Sequence, residues 1–404
     1  MTLIGDPAPQ RLDGSFVDRA RGLYDLIDSQ SDAARKAGRL TDDVADAMRA
    51  NDIFWALVPE EFGGTLIDIV QYIGMLEELS RADPSAGWVG LAAGQGNGMI
   101  SSLLAPEDAR ELLTGHPRGI SIGHIAPLGK AVKVDGGYRV TGRWQFGSGS
   151  SLATLIAGGS LVENEDGSPV LFGDAQELVF PMMPRDKIEF LGNWDVAGMQ
   201  ATASWDYAAR DVFVPEGHAL PVSRAIADPV GTCRRDEPIF RLGFMGRVYA
   251  GHAAVALGVM SRAFDEITKI VAGKGRVGYQ GTIGESDMFR YEFAEREADY
   301  HAFRDYTYRT FRDVEDSIRA GNPLTPVDDA RMNRVSAWVH LRANDLVQWC
   351  NSWGGSASVR RPSVLARLAA DMDVMRNHLY VDRANLIPTG GAILRAWVSK
   401  GLDA

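Results

Sequence analysis

Residues 135–149, DGGYRVTGRWQFGSG, decide how the rest of the chain is read. Asp135-Gly136-Gly137 is a turn signal, because glycine supplies the positive φ that tight hairpin turns demand. After it Tyr138, Val140, Trp144 and Phe146 alternate with polar or small residues, the period expected of a half-buried strand. The strand runs into Gly147-Ser148-Gly149, where small residues let backbone and one hydroxyl come close to a ligand. The pattern fits two structures. One is an antiparallel hairpin whose aromatics fill a core; the other is a flat apolar wall beside a binding site.

Outward from this strand, residues 119–221 carry Gly, Val and aromatic residues in short alternating runs, which predicts an all-β region. Strands are expected at 138–146, 155–161, 178–182 and 208–214, the last closed by Pro215, and residues 193–204 read as a turn entering a further strand. Upstream, Leu23, Ile27, Val44, Met48 and Ile53 recur at helical spacing, and Thr41-Asp42-Asp43 supplies a helix start. A loop at 58–64 precedes a long helix over 67–81, which ends before Asp83-Pro84. Residues 88–104 are small and apolar, as suits a buried helix. Past Phe240 the helical period returns, with long helices expected over 247–270, 288–320, 328–353 and 361–387. The chain therefore divides into a helical part, 1–117, a β part, 118–232, and a helical bundle, 233–404. Long bundle helices with apolar stripes bury a face against a partner subunit, so an oligomer is expected.

The 404 residues suffice for a large core, and 45% hydrophobic with 24% charged residues is the balance of a soluble globular protein. A net charge of −11 argues against nucleic acid as a partner, since phosphate neutralisation needs a basic surface. Cys233 and Cys350 are the only cysteines, too few for a disulfide framework, and a reducing cytoplasm is the simplest home. The first residues, MTLIGDPAPQRLDG, lack the basic and apolar regions of a signal peptide, and no apolar run is long enough to span a membrane. His116, His218, His301 and His340 lack ligand spacing to other histidines or carboxylates, so no metal site is expected. His252 reads as an interior helix residue.

Four stretches in this order, 58–64, 129–149, 192–204 and 211–215, on a helical–β–helical plan, resemble the acyl-CoA dehydrogenase superfamily from about residue 15 to about 390. The resemblance implies an α+β fold with an N-terminal helical domain, a middle antiparallel β domain and a C-terminal bundle of long helices, assembled as a homotetramer. It also implies flavin chemistry of one of two kinds. Dehydrogenases of this superfamily hold FAD and use a carboxylate base; two-component monooxygenases take reduced flavin from a separate reductase and act through a C4a-hydroperoxyflavin.

The C-terminal residues separate the two. In dehydrogenases an R-x-x-R-D motif precedes the base by eight residues; here Arg367-Leu368-Ala369-Ala370-Asp371 puts Leu379 in that seat. The alternative seat, ten residues before a Gly-x-Met, here Gly258-Val259-Met260, holds Val248. Neither side chain accepts a proton. The monooxygenases carry a histidine seven residues after the same aspartate, and here that residue is His378. An imidazole suits proton handling because it titrates near neutral pH. Trp144-Gln145-Phe146-Gly147-Ser148-Gly149 matches the W-x-F-x-S-G of the same branch, which implies Ser148 as the hydroxyl that steadies the flavin, with Trp144, Phe146 and Gly149 around it. Such chemistry needs a dry pocket.

Further flavin contacts implied by the resemblance are Thr202, Ser204 and the pair Gly354-Gly355, each of which reads equally as strand surface or helix stop. Gln200 and Ala201 replace a glycine-and-arginine loop, which leaves Lys274 and Arg276 as candidates for the flavin phosphate. Where relatives of this type carry a second histidine, this chain has Gln95 and Asn97; these and His124 are candidate substrate-pocket residues. No G-x-G-x-x-G opens a βαβ unit, which agrees with electrons arriving as reduced FMN or FAD (FMNH2 or FADH2) from an NAD(P)H:flavin reductase. The favoured expectation is therefore the oxygenase component of a two-component flavin monooxygenase, using O2 on a small aromatic or heteroatom-containing substrate. Two rivals are a flavin-bound dehydrogenase or oxidase with its base at Asp371, Asp373 or Asp382, and a silent ligand-binding protein that kept the fold.

Overall fold

Local capping starts the N-terminal helices. In the computed structural model, which describes residues 14–115 and 117–402 (side chains only to 399), Ser15 and Asp18 form a reciprocal cap on α1 (Phe16–Gly22). Helix α2 (Tyr24–Ala37) follows, and Thr41 caps α3 (Asp42–Ala50) as its hydroxyl accepts from Val44 N–H. The Asp68 carboxylate takes the Gln71 N–H at 2.8 Å to start α4 (Ile69–Ala82). Asp83 then caps α5 (Pro84–Leu103), with Pro84 in the first turn where no N–H is needed. Helix α6 (Pro106–Leu113) closes the domain. His116 and the first thirteen residues, on which the signal-peptide expectation fell, lie outside the described residues.

The β region comprises β1 (Ser121–Val134), β2 (Gly137–Gly147), β3 (Leu155–Glu163), β4 (Leu171–Phe172), β5 (Ala175–Gln176), β6 (Leu178–Pro184), β7 (Glu189–Phe190), β8 (Trp205–Pro215) and β9 (Ala219–Leu220). Seven of them form one sheet in the order β7-β8-β2-β1-β3-β6-β9, with β4 and β5 as a separate hairpin. The sheet is mixed rather than purely antiparallel, because β1 and β3 run parallel while the other pairs are antiparallel. The chain between residues 147 and 155 crosses back to let β3 lie beside β1 in that sense.

After α7 (Val222–Ala227) and α8 (Pro238–Arg241) come the long helices α9 (Gly243–Gly273), α10 (Asp287–Arg319) and α11 (Pro326–Gly354). Beyond the short α12 (Ser356–Val359), the single helix expected over 361–387 is broken into α13 (Val364–Met375) and α14 (Leu386–Leu402). The break has a local cause. The Asn377 amide donates to the Asp373 carbonyl oxygen at 2.5 Å, and Asp382 caps a short 3-10 turn through Ala384 N–H at 2.7 Å. His378 is therefore delivered by a turn.

Helix α5 is buried on nearly every face and touches both the sheet and α9. A Cβ on Gly96 would stand 2.4 Å from the Ser121 carbonyl oxygen, so only glycine lets α5 lie directly on β1. Among the described residues no helix is long and apolar enough to cross a membrane, and both cysteines are free thiols.

Candidate active site

The end of β2 and the face of α5 meet at Ser148. Trp88 on α5 donates its indole N–H to Ser148 Oγ at 3.1 Å. Ser148 Oγ lies 2.8 Å from Ser204 Oγ, Ser204 Oγ lies 2.6 Å from Thr202 Oγ1, and Thr202 donates to the Met199 carbonyl oxygen at 2.8 Å. Only one direction of the hydroxyl protons satisfies every link, running from Trp88 through Ser148, Ser204 and Thr202 to Met199. In that direction the Ser148 proton is committed to Ser204, and what Ser148 offers the cleft is a lone pair.

Across the cleft, the His378 ring sits 5.3 Å from the Trp88 ring, edge to face, and 4.6 Å from the ring of His252 on α9. Trp88 and His252 are 4.9 Å apart, and Tyr380 closes the far side of His378 at 5.4 Å. Burial pushes the His378 pKa down to about 4, with His340 and His124 adding repulsion. Burial also holds His252 well below its ordinary value, with His378 and His340 adding to it, and takes His340 to about 4. All three imidazoles are neutral at neutral pH. The Tyr380 backbone N–H lies 3.4 Å from His378 Nδ1, an arrangement that assigns the proton of the neutral ring to Nε2.

Neither dehydrogenase seat holds an acid: Val248 is buried on α9 and Leu379 points outward. The three aspartates of the rival reading have structural partners. Asp371 Oδ1 accepts the Met199 N–H at 2.5 Å, Asp373 pairs with Arg376 at 3.2 Å, and Asp382 is the cap already described.

Several expectations change on contact with the geometry. Trp144 is no cofactor wall: it is 0% exposed, donates to the Gly159 carbonyl oxygen at 2.9 Å and stacks on Tyr207 at 5.5 Å. Glycines beneath it make the room; a Cβ on Gly158 would meet its ring at 2.1 Å. Phe146 does not share its face, because a bulge between Trp144 and Gly147 and a φ of 57° at Phe146 turn that ring outward, 56% exposed. There it meets Trp194 at 6.0 Å and His124 at 6.2 Å. Asn97 is not a pocket residue either. Its amide donates to the Phe54 and Gly119 carbonyl oxygens and its oxygen accepts from Ser121 N–H, each at 3.0 Å, so its polar atoms tie α5 to the sheet.

Gln95 donates to Tyr72 Oη at 3.0 Å and leaves its buried Oε1 without a partner. Thr202 and Ser204 lie behind Ser148, and the Gly149 N–H is spent on the Thr202 carbonyl oxygen at 2.8 Å. Arg276 and Gly354-Gly355 do come together, at the end of α11. There Lys274 donates to the Gly354 carbonyl oxygen at 2.5 Å and Arg276 stacks over Trp353 at 5.3 Å. None of the contacts around Ser148 or His378 includes them. Trp88, Trp194 and His252 are site residues that periodicity alone did not single out. The available signal for His252 was its place one helical turn after Val248, on the face that carries the vacant seat.

The cleft suits a flat heterocycle with a polar edge. Phe146 gives exposed aromatic surface and Trp194 a half-buried ring, Ser148 offers an acceptor, and buried ring nitrogens without partners, His124 Nδ1 and His252 Nδ1, leave polar capacity inside. Among the described residues no group of three or more His, Cys, Asp or Glu is placed to hold a metal ion.

Residues 19–116 match the acyl-CoA dehydrogenase N-terminal domain and residues 250–383 the acyl-CoA dehydrogenase C-terminal domain, together more than half of the chain. An indole-3-acetate monooxygenase of Pseudomonas putida is 28% identical over 94% of this chain and 91% of its own length. The oxygenase component of an FADH2-dependent resorcinol hydroxylase from Rhizobium sp. is 26% identical over 94% and 93%. In structure, XiaF from Streptomyces sp., solved with FADH2 and glycerol, superposes with a TM-score of 0.85 over 94% of each chain at 20% identity, which speaks to the fold.

Proposed function

Because the chain belongs to the acyl-CoA dehydrogenase superfamily, we propose that it is the oxygenase component of a two-component flavin monooxygenase, acting on a small aromatic or heteroatom-containing substrate. The observation that carries this reading is a neutral imidazole, His378, packed against Trp88, whose indole N–H holds Ser148, where a dehydrogenase needs a carboxylate. Reduced FMN or FAD, when bound, supplies the electrons that allow one atom of O2 to be inserted into the substrate. The chain's own residues do the rest.

Ser148 presents a lone pair because its proton points to Ser204. A reduced isoalloxazine carries an N–H at N5 where the oxidised ring has a bare nitrogen, so Ser148, if it held that edge, would favour the reduced state. His378 holds its proton at Nε2 and can take another at Nδ1, bound only by the long contact from Tyr380. Trp88, His252 and Tyr380 pack around that ring and limit the water that reaches it. A separate NAD(P)H:flavin reductase belongs to this reading, as do a homotetrameric assembly and a cytoplasmic setting.

The test is turnover with chemically reduced flavin and air. The wild-type protein is expected to form oxygenated product, while His378→Ala loses at least about tenfold of it and still releases hydrogen peroxide. Unchanged coupling of product to flavin consumed in His378→Ala would remove the histidine from the mechanism.

A further inference from the structure

Arg247 on α9, one residue before Val248, is 1% exposed, and among the described residues no carboxylate pairs with it. Its Nη1 reaches the carbonyl oxygens of Ile239 and Phe240 at 3.4 and 3.3 Å and its Nη2 the Ser102 hydroxyl at 3.4 Å, all long, while Nε has no partner. Elsewhere the fold treats a buried guanidinium differently. Arg262, 3% exposed, has Asp28 at 2.6 Å and Glu266 at 3.0 Å. Burial without an anion lowers the Arg247 pKa to about 10, which leaves it a cation at neutral pH. A charge kept in that state is destabilising unless something completes it.

Beside it is a second incompletely bonded polar group. Tyr72, a buried and neutral phenol near Arg247, is bonded to Gln95, and the buried Oε1 of Gln95 also lacks a partner. Gly251, one turn on from Arg247, packs so closely that a Cβ would meet Leu91 at 2.2 Å and Tyr72 Oη at 3.3 Å. His252 follows, in contact with His378. From Arg247 to His252 the helix rises roughly 7.5 Å and turns about 140° beyond one full turn, a separation that an aromatic ring with a short side arm covers once the arginine's own length is added.

We propose that Arg247 is the anion-binding residue of the substrate pocket and that the substrate is an aromatic acid, its ring at His378 and Trp88 and its carboxylate on the guanidinium. The inference rests on the oxygenase reading of the same site and names its substrate class.

Titrating the purified protein with indole-3-acetate and with 3-methylindole, which has the same ring and no carboxylate, tests it. Reduced-flavin binding is measured on the same samples. The acid is expected to bind about 100-fold more tightly than the neutral ring, and Arg247→Met to erase that preference without weakening 3-methylindole or reduced flavin. Without ligand, Arg247→Met should melt no lower than wild type, because an apolar chain replaces an uncompensated charge; a purely structural arginine would lower the melting temperature and flavin binding together. In the wild-type protein, the acid should raise the melting temperature where 3-methylindole does not, a reading that needs no variant to fold. Absence of any preference for the acid overturns the carboxylate subsite and leaves the oxygenase reading standing, as does a preference that survives Arg247→Met. Failure to bind reduced flavin overturns the oxygenase reading itself.

Discussion

Ser148, His378 and His340 show how much of the chemistry sits in single protons. The Ser148 hydroxyl is fixed by Trp88 on one side and Ser204 on the other, so Ser148→Ala strands an indole N–H and breaks the chain. Loss of roughly 1–2 kcal/mol of stability is expected in thermal or urea unfolding, together with weaker discrimination between reduced and oxidised flavin. Thr202→Val acts from further away: without the bond to Met199 the Ser204 and Ser148 protons are free to reverse, and oxidised flavin should bind better than it does to wild type. His340 is wholly buried, with Nε2 2.9 Å from the His252 carbonyl oxygen, and its pKa falls from 6.5 to about 4. Between those values the unfolded chain binds a proton that the folded chain does not, so stability rises with pH across the window and is lost on acidification. At pH 5 the loss attached to this residue is roughly 2 kcal/mol. His340→Gln should flatten the fall in melting temperature between pH 7 and pH 5; an unchanged slope would assign the acid sensitivity elsewhere.

At the scale of elements, most of the architecture was legible because its signals are local. Thr41 and Asp68 cap helices within a residue or so of the expected starts, while Asp83, read as the stop of the helix before it, also opens α5; the strands at 138–146, 155–161 and 208–214 appear as β2, β3 and β8. What escaped depends on backbone choices that periodicity does not encode. The alternation through Trp144 and Phe146 predicts a shared face, and one bulge with a positive φ separates them. The helix expected over 361–387 ends at Met375 because an asparagine and an aspartate bond to their own backbone, and that break is what turns His378 into the cleft. The parallel pairing of β1 with β3 is a long-range event with no sequence signature of its own. The spacing from Asp371 found His378, while His252 and Trp88 entered the site only through the contact of α5 with α9. That contact can be probed away from the chemistry. Gly96→Ala drives a Cβ into the Ser121 carbonyl oxygen and should cost about 2 kcal/mol or more in unfolding experiments; a neutral effect would mean that α5 and β1 part easily.

The whole molecule leaves apolar surface uncovered along α14, where Ile387, Leu394, Trp397 and Val398 are 78%, 65%, 73% and 53% exposed. A cavity of about 540 Å³ between α10, α11 and α14 opens beside Trp397. Contiguous exposed apolar surface of this kind marks an interface, which agrees with the proposed tetramer; Trp397→Glu should shift the mass in solution to a smaller species, as read by sedimentation or light scattering. The central claim nevertheless concerns the cleft within one chain, where an acceptor hydroxyl and a neutral histidine stand in place of a carboxylate base. Anaerobic equilibrium titration with FMN and FAD in both redox states tests it most directly. The reduced form of one of them should bind at least about tenfold more tightly than its oxidised form, whereas a protein that holds oxidised FAD tightly and is bleached by an acyl-CoA would contradict it.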